Sequence, residues 1–469
     1  MNICFIACFN KTVFFQCIAK ELERRINNLS VSWISTSPTW TKYLIDHGVN
    51  QNKITQIHKN EHISSQEESI AREALRESEK INGVSANFII QSDRIISHWP
   101  QDQSEKYLLY CTHKIIEKIK NENIKLIFGE ATALHETLTA FICKTRGAEF
   151  KKPHTIRIPS NYFAFFEGYL EDKIHEISHK INQSKFTAEE LITDVTKNNK
   201  KPQYFYTNNK PHKIFDKKLI KSIPKKLLTT LSEQKTNAAE KSISHHLFIE
   251  KKYLASVRAK LLEKYIAFEN PVHGEKNILF TLHKQPEASI DVLGTEHSNQ
   301  IELIKKISIH VPSQYKIYVK EHSNAIGDRP LKYLKNIQKI PNVRLIHPNT
   351  DSHKLIKNSS LVITISGTIA YETAIFGVKS ATLSPMFFNT LPSCKQIQNP
   401  SAIPLLLSSP NNHSLSRVKS AIEEILKKAH PGIISDPISL PECISKENIE
   451  TVSNAFELLI NEKETSYNM

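Results

Sequence analysis

The feature that most limits what this chain can fold into is the alternation of short apolar runs with amphipathic segments between Asn277 and Leu383. Strands are expected at Asn277–Leu282, Lys316–Val319, Val343–His347, Leu361–Ile365 and Lys379–Leu383. Helices are expected between them, at Asn299–His310, Leu331–Lys339, from an Asp351 cap through Lys357, and at Thr368–Phe376. Such alternation with short loops predicts a doubly wound, mainly parallel sheet, which takes ligands in the crevice at the carboxyl ends of its strands.

The first 160 or so residues repeat the pattern less sharply. Strands are expected at Asn2–Cys8, Val31–Thr36, Lys125–Gly129 and His154–Ile158, with helices at Val13–Arg25, Thr39–Asp46, Gln101–Asn121 and Leu134–Thr145. The unit of strand, Gly129, Glu130 and helix sets a carboxylate at a strand's carboxyl end. From about Gly168 to Asn270 the strand signal fades and lysine-rich helical segments take over, which reads as a helical insertion and linker. A length of 469 residues fits two ordinary domains with an insertion and a tail. The expected division is 1–167, an insertion at 168–270, a second domain at 271–430 and a helical tail at 431–469. The fold class is therefore α/β.

Composition excludes some functions and leaves others open. No run approaches the roughly 18 uncharged apolar residues of a membrane-spanning helix. Met1–Phe9 is apolar but lacks a basic leader and a small-residue cleavage site, so it is expected to be a core strand. The seven cysteines are scattered and never form a CxxC pair, which argues against a disulfide framework or a zinc site and fits a reduced, cytoplasmic setting. A net charge of +14 attracts phosphate, whether of a nucleotide, a lipid headgroup or a nucleic acid. Only Lys197–Lys226, which also holds Tyr204, Phe205 and Tyr206, concentrates that charge. It reads first as a solvated face and second as a peripheral contact with a membrane surface. No nucleic-acid motif accompanies it, and no nucleic-acid partner is expected.

Three segments of the second half carry candidate chemistry. Ser366, Gly367 and Thr368 end a strand and open a helix, where amides and hydroxyls meet a phosphate, and Glu372 follows one turn on, placed to accept from ribose hydroxyls. Lys320 and His322 alternate at a strand's end and share a side, the lysine giving fixed charge and the histidine a hydrogen bond or proton. The run His283, Lys284, Gln285, Pro286, Glu287 puts a carboxylate on a loop stiffened by proline, making Glu287 a candidate nucleophile or base. Its expected counterpart is Glu130, because sugar transfer needs one carboxylate for the anomeric carbon and one for the acceptor hydroxyl. Taken singly, each of these residues is as well explained by packing, capping or solvated charge.

In their order, LHKQPEASIDVLG, IYVKEHSNAIGDR and TISGTIAYETAIFG resemble the bacterial capsular polysaccharide biosynthesis proteins, in particular the retaining β-Kdo transferases and relatives that move nonulosonic acids from CMP donors. The resemblance covers Asn277–Leu383 well and Phe128–Pro159 loosely. It implies a GT-B-like fold of two Rossmann-like domains facing a cleft, acceptor on the N-terminal side and nucleotide sugar on the C-terminal side. It implies His322 at the CMP phosphate, Ser366 and Thr368 as phosphate-binding hydroxyls, Glu287 as nucleophile and Glu130 facing a glycan or glycolipid acceptor. Lys320, Gly367, Glu372, Gln285 and Lys284 complete the donor side, Lys284 opposite the sugar's own carboxylate. The resemblance calls for no metal and no cofactor besides the CMP-sugar substrate. One departure stands out: the family's His-Pro is His322-Ser323 here. Alternatives are a transferase or epimerase of UDP or GDP sugars, and a non-catalytic component of capsule assembly or export.

Overall fold

A computed structural model describes residues 1–59, 61–178, 185–201, 255 and 257–468, which fall into two units. Beyond Lys201, the basic stretch with Tyr204, Phe205 and Tyr206 lies outside the described residues.

The first unit comprises residues 1–185 and 426–469 among those described. Its strands are β1 (Asn2–Ala7), β2 (Ser30–Ser35), β3 (Ile54–Gln56), β4 (Leu126–Phe128), β5 (Glu149–Thr155) and β6 (Tyr162–Glu167). The five parallel strands lie in the order β5-β4-β1-β2-β3. This is the nucleotide-fold arrangement, in which the strand order reverses between the first and fourth strands. β6 and the short strand His430–Pro431 extend the sheet in antiparallel fashion.

Alternation along β1 shows how the sheet is covered on both sides. Cys4 and Ile6 pack toward the helices Gln101–Asn121 and Leu134–Ile142. Ile3, Phe5 and Ala7 pack toward the helix Lys11–Arg25 and the last helix, Lys446–Asn468. That last helix seats Phe456 against Phe128 and Phe165, with ring centroids 4.8 and 4.9 Å apart, so the end of the chain completes the first unit's core. Six of the seven cysteines are buried and none is in a disulfide.

The expected strand at His154–Ile158 is instead β5, beginning at Glu149. Its Glu149, Lys151 and Lys152 look unlike a strand in sequence, yet they are neutralised there: Lys151 meets Glu149 at 2.8 Å and Lys152 meets Glu171 at 2.7 Å. The helix expected to reach Thr145 ends its α-helical part at Ile142 and finishes as a 3₁₀ turn.

The second unit contains β7 (Asn277–Thr281), β8 (Lys316–Lys320), β9 (Val343–Ile346), β10 (Leu361–Thr364), β11 (Ser380–Thr382) and β12 (Cys394–Gln396). All are parallel, in the order β12-β11-β10-β7-β8-β9. Renumbered from its own first strand this is 6-5-4-1-2-3, a complete Rossmann order with the reversal between β7 and β10. Ile278, Phe280 and Leu282 bury on one face and Leu279 on the other with Tyr318, Ile346 and Val362. The predicted Asp351 cap forms, its side chain accepting from Lys354 N at 3.0 Å. The chain is therefore α/β with two Rossmann-like units, and no described helix is long and apolar enough to cross a membrane.

Candidate functional site

In the second unit, the loops that leave β7, β8 and β10 meet at the switch point, where two diverging crossovers open a crevice. Their hub is His283, buried and placed just after β7. Its Nε2 accepts from the backbone amides of Ile365 and Ser366 at 3.2 and 3.4 Å and lies 2.9 Å from Thr364 Oγ1. These amide donors fix the ring proton on Nδ1. Burial, with the Arg329 charge beside it, pushes the His283 pKa down to about 3, so the ring is neutral. Gln300 holds the same residue by the main chain, accepting from His283 N at 2.7 Å and donating to its carbonyl at 3.0 Å.

Gly367 follows from this packing. A side chain there would put its Cβ 2.6 Å from Thr364 Oγ1, closer than the turn allows. Ser366, also buried, donates its hydroxyl to the carbonyl of Ser289 at 2.5 Å and so ties the β10 turn to the short helix Ala288–Asp291. Thr368 stands at the N-cap of the helix Ile369–Ile375, partly exposed. Glu287 is the N-cap of Ala288–Asp291, exposed, with no ion pair among the described residues.

From β8 comes the cationic side of the site. Lys320, at the strand's last position, is 5% exposed, and its Nζ has no ion pair or hydrogen bond among the described residues. Burial, and next the charge of Lys201, lowers its pKa to about 8 against the pull of Glu321 and Asp351. His322 caps the next turn: its Nδ1 accepts from Asn324 N at 3.1 Å, leaving the ring proton on Nε2. Burial, with Lys320, Lys284 and Arg329 around it, pushes its pKa down to about 4. His322 is thus a neutral hydrogen-bond donor rather than a cationic acid, and fixed charge comes from the lysines. Between the two, Glu321 turns the other way and pairs with the buried Arg329, which also donates to the His283 carbonyl. One guanidinium therefore locks the β8 loop to the β7 loop.

Besides Ser366, two more candidates are already engaged. Gln285 donates to Ser298 O at 2.9 Å and accepts from Gln300 Nε2 at 2.7 Å. Glu372 is buried, with one carboxylate oxygen 2.7 Å from His353 Nε2. His353 also meets Asn199, and Lys201 pairs with Asp351 at 2.8 Å, so the end of the segment 186–201 is tied to the helix Ser352–Lys357 and its cap. Lys284 stays partly exposed near His322.

The first unit builds its own cluster at its own switch point, between β1 and β4. Lys11, buried at the start of the helix after β1, donates to Glu130 Oε1 at 3.2 Å. Burial works to raise the Glu130 pKa, but Lys11 and then His154 outweigh it, and the carboxyl is held below its usual range. His154, at the end of β5, is pushed down to about 3 by burial.

No protein-family model matches the chain, and no curated protein matches it by sequence. Solved structures do align with it. KpsC, a β-Kdo 2,7 transferase from Thermosulfurimonas dismutans, is 13% identical over 75% of this chain and 89% of its own, with a TM-score of 0.31. A UDP-GlcNAc 2-epimerase from Methanocaldococcus jannaschii is 12% identical over 91% of this chain and 99% of its own, with a TM-score of 0.25. A UDP co-structure of S. aureus MnaA is 12% identical over 90% of each chain, with a TM-score of 0.23. Scores this low carry nothing about chemistry, which rests on the residues at the two switch points.

Nothing local in the sequence marks His283, Arg329 or Gln300 as functional residues. Their partners lie 17 to 83 residues away, so no local spacing marks them. A buried histidine directly after a strand, followed four residues on by the candidate nucleophile, is the one signal the sequence offers.

Proposed function

We propose that the chain is a glycosyltransferase that seats the phosphate of a nucleotide sugar at the switch point of its second unit. The observation that carries this reading is Lys320: a buried ammonium with no ion pair or hydrogen bond among the described residues, beside the Nε2–H of His322 and close to Lys284. Keeping an unpaired charge out of water costs stability, and such an arrangement persists where an anionic ligand completes it. Three motif segments that resemble CMP-dependent β-Kdo and nonulosonic acid transferases support a CMP donor carrying a 2-keto sugar acid, and an acceptor belonging to a surface polysaccharide.

In this reading the Glu287 carboxylate attacks the anomeric carbon. The bond from that carbon to the phosphate oxygen breaks, and its electron pair leaves with CMP. Lys320 and His322 stabilise the charge growing on the phosphate, with Thr368 on the other side; the expected donors at Ser366 and Gly367 are instead given to Ser289 O, His283 Nε2 and Thr364 Oγ1. An acceptor hydroxyl then displaces Glu287 and loses its proton, so the two inversions retain configuration. In the first unit, Glu130 is assigned to the acceptor. Glu287 is exposed and has no ion pair among the described residues, which leaves it open to substrate. Lys284 is assigned to the sugar's carboxylate, and Glu372 to the ribose through its second oxygen.

The test is ligand-dependent melting followed by transfer. CMP at 100 times its dissociation constant should add about 2.7 kcal/mol of stability, with UDP and GDP adding little. CMP-Kdo or a CMP-nonulosonic acid should then label a polysaccharide acceptor. Stabilisation by UDP or GDP instead of CMP would move the chain to another donor class. No response to any nucleotide would leave it without a transferase role.

A further inference from the structure

The turn that presents Glu130 is organised around a second, hidden carboxylate. Glu136, in the first turn of the helix Leu134–Ile142, is 1% exposed. Its Oε1 accepts from Glu130 N at 2.6 Å, and its Oε2 accepts from Thr132 N at 2.8 Å and Thr132 Oγ1 at 3.0 Å. The residue between those two amides, Ala131, has φ of 57°, the left-handed region that a residue with a Cβ seldom occupies. Successive amides converging across a left-handed residue make an anion-binding concavity, and here the protein fills it with its own side chain. Gly129 leaves room for it: an added Cβ would stand 2.9 Å from Phe150 Cζ and 3.3 Å from Glu136 Oε1. Outside the concavity, Arg94 donates to Thr132 O at 3.1 Å and Asp93 accepts from Leu134 N at 2.7 Å, so the turn is held on both sides.

We infer that Glu136 is the positioning residue of Glu130: by gripping the amides on either side of Ala131 it fixes the turn from which Glu130 reaches Lys11 and the acceptor. This rests on the reading above that Glu130 serves the acceptor. A helix needs no such residue for its own stability, since both grips fall on the preceding loop and not on the helix's own orphan amides. Burial and the neighbouring Glu130 charge push the Glu136 carboxyl up to about 7, the signature of a group kept in place against its own preference for water.

A double-mutant cycle separates positioning from mere packing. Glu130→Gln, Glu136→Gln and the double variant are compared for transfer to acceptor, for CMP-induced stabilisation and for melting temperature. The expected loss for Glu136→Gln is on the order of 10- to 100-fold in kcat/KM for the acceptor, as a small misplacement of a reacting group produces. CMP stabilisation should be unchanged, and the double variant should be no slower than Glu130→Gln alone. Gly129→Ala, which crowds the same carboxylate without changing charge, should show the same lack of additivity and covers the case in which Glu136→Gln does not fold. If the losses multiply in the double variant, Glu136 acts independently of Glu130 and the inference falls, while the role of Glu130 stands. If Glu130→Gln transfers normally, it is the acceptor reading that falls, and the positioning role with it.

Discussion

Replacing Lys320 with methionine should make the unliganded protein more stable and blind to its donor. The side chain is 5% exposed, and its pKa stands at about 8 against an ordinary lysine value of 10.5. That difference is worth about 3 kcal/mol against the charged form. The sign follows from linkage. A base whose folded pKa lies below its unfolded pKa destabilises the protein in full at pH below the folded value, and the cost fades as pH climbs from 8 to 10.5. Methionine fills a similar volume with no charge to desolvate. At pH 7 Lys320→Met should therefore melt higher, by up to about 6 to 12 °C for a unit of this size. Wild type should close the gap as pH rises past 8, while the variant holds level. CMP stabilisation should vanish in the variant. Scanning calorimetry at pH 7 and pH 10, with and without CMP, reads all three. A variant that melts lower than wild type at pH 7 and still responds to CMP would refute the reasoning, since it would show a lysine that stabilises the fold and meets no phosphate.

Glu287→Gln should leave the melting temperature within about 1 °C, because the side chain is exposed and unpaired among the described residues, while abolishing measurable transfer; undiminished transfer would remove the nucleophile assignment. The rings of His283 and His322 should stay neutral from pH 8 to pH 5, protonated on Nδ1 and Nε2 respectively, as nitrogen-15 NMR of the imidazoles reads directly. A titration near pH 6.5 in either would contradict the burial argument. Phe456→Ala should destabilise the first unit by about 3 to 5 kcal/mol, since it opens the space among Phe5, Phe128 and Phe165, yet CMP should stabilise the second unit as before. Differential scanning with and without CMP separates the two effects.

Much of the architecture was legible in the residues because it is local. Asn277–Thr281, Lys316–Lys320 and Leu361–Thr364 are apolar runs bounded by turn residues, and Asp351 caps its helix through a neighbour three residues away. The loops after β7, β8 and β10 follow from strand ends, and the turn at Ser366 is tied to the short helix that Glu287 caps. What was hidden depends on distant partners. β5 carries Glu149, Lys151 and Lys152, whose charges are settled by Lys463, Glu149 and Glu171, and a sequence pattern sees only an unlikely strand. Gln285 and Glu372 look free for substrate until Gln300 and His353 are seen to hold them. Glu136 sits inside a helix pattern and shows nothing of the loop it grips. The last helix reads as a tail, but its apolar stripe of Val452, Phe456 and Leu459 belongs to the core of the first sheet.

The most direct test of the donor site is a crystal of the protein with a CMP sugar. Phosphate oxygens should lie within hydrogen-bonding reach of Lys320 Nζ and His322 Nε2, at the turn of Ser366–Thr368, with the anomeric carbon toward Glu287. A phosphate bound away from the β7–β10 crevice, with Lys320 still unpaired, would contradict the account at its centre.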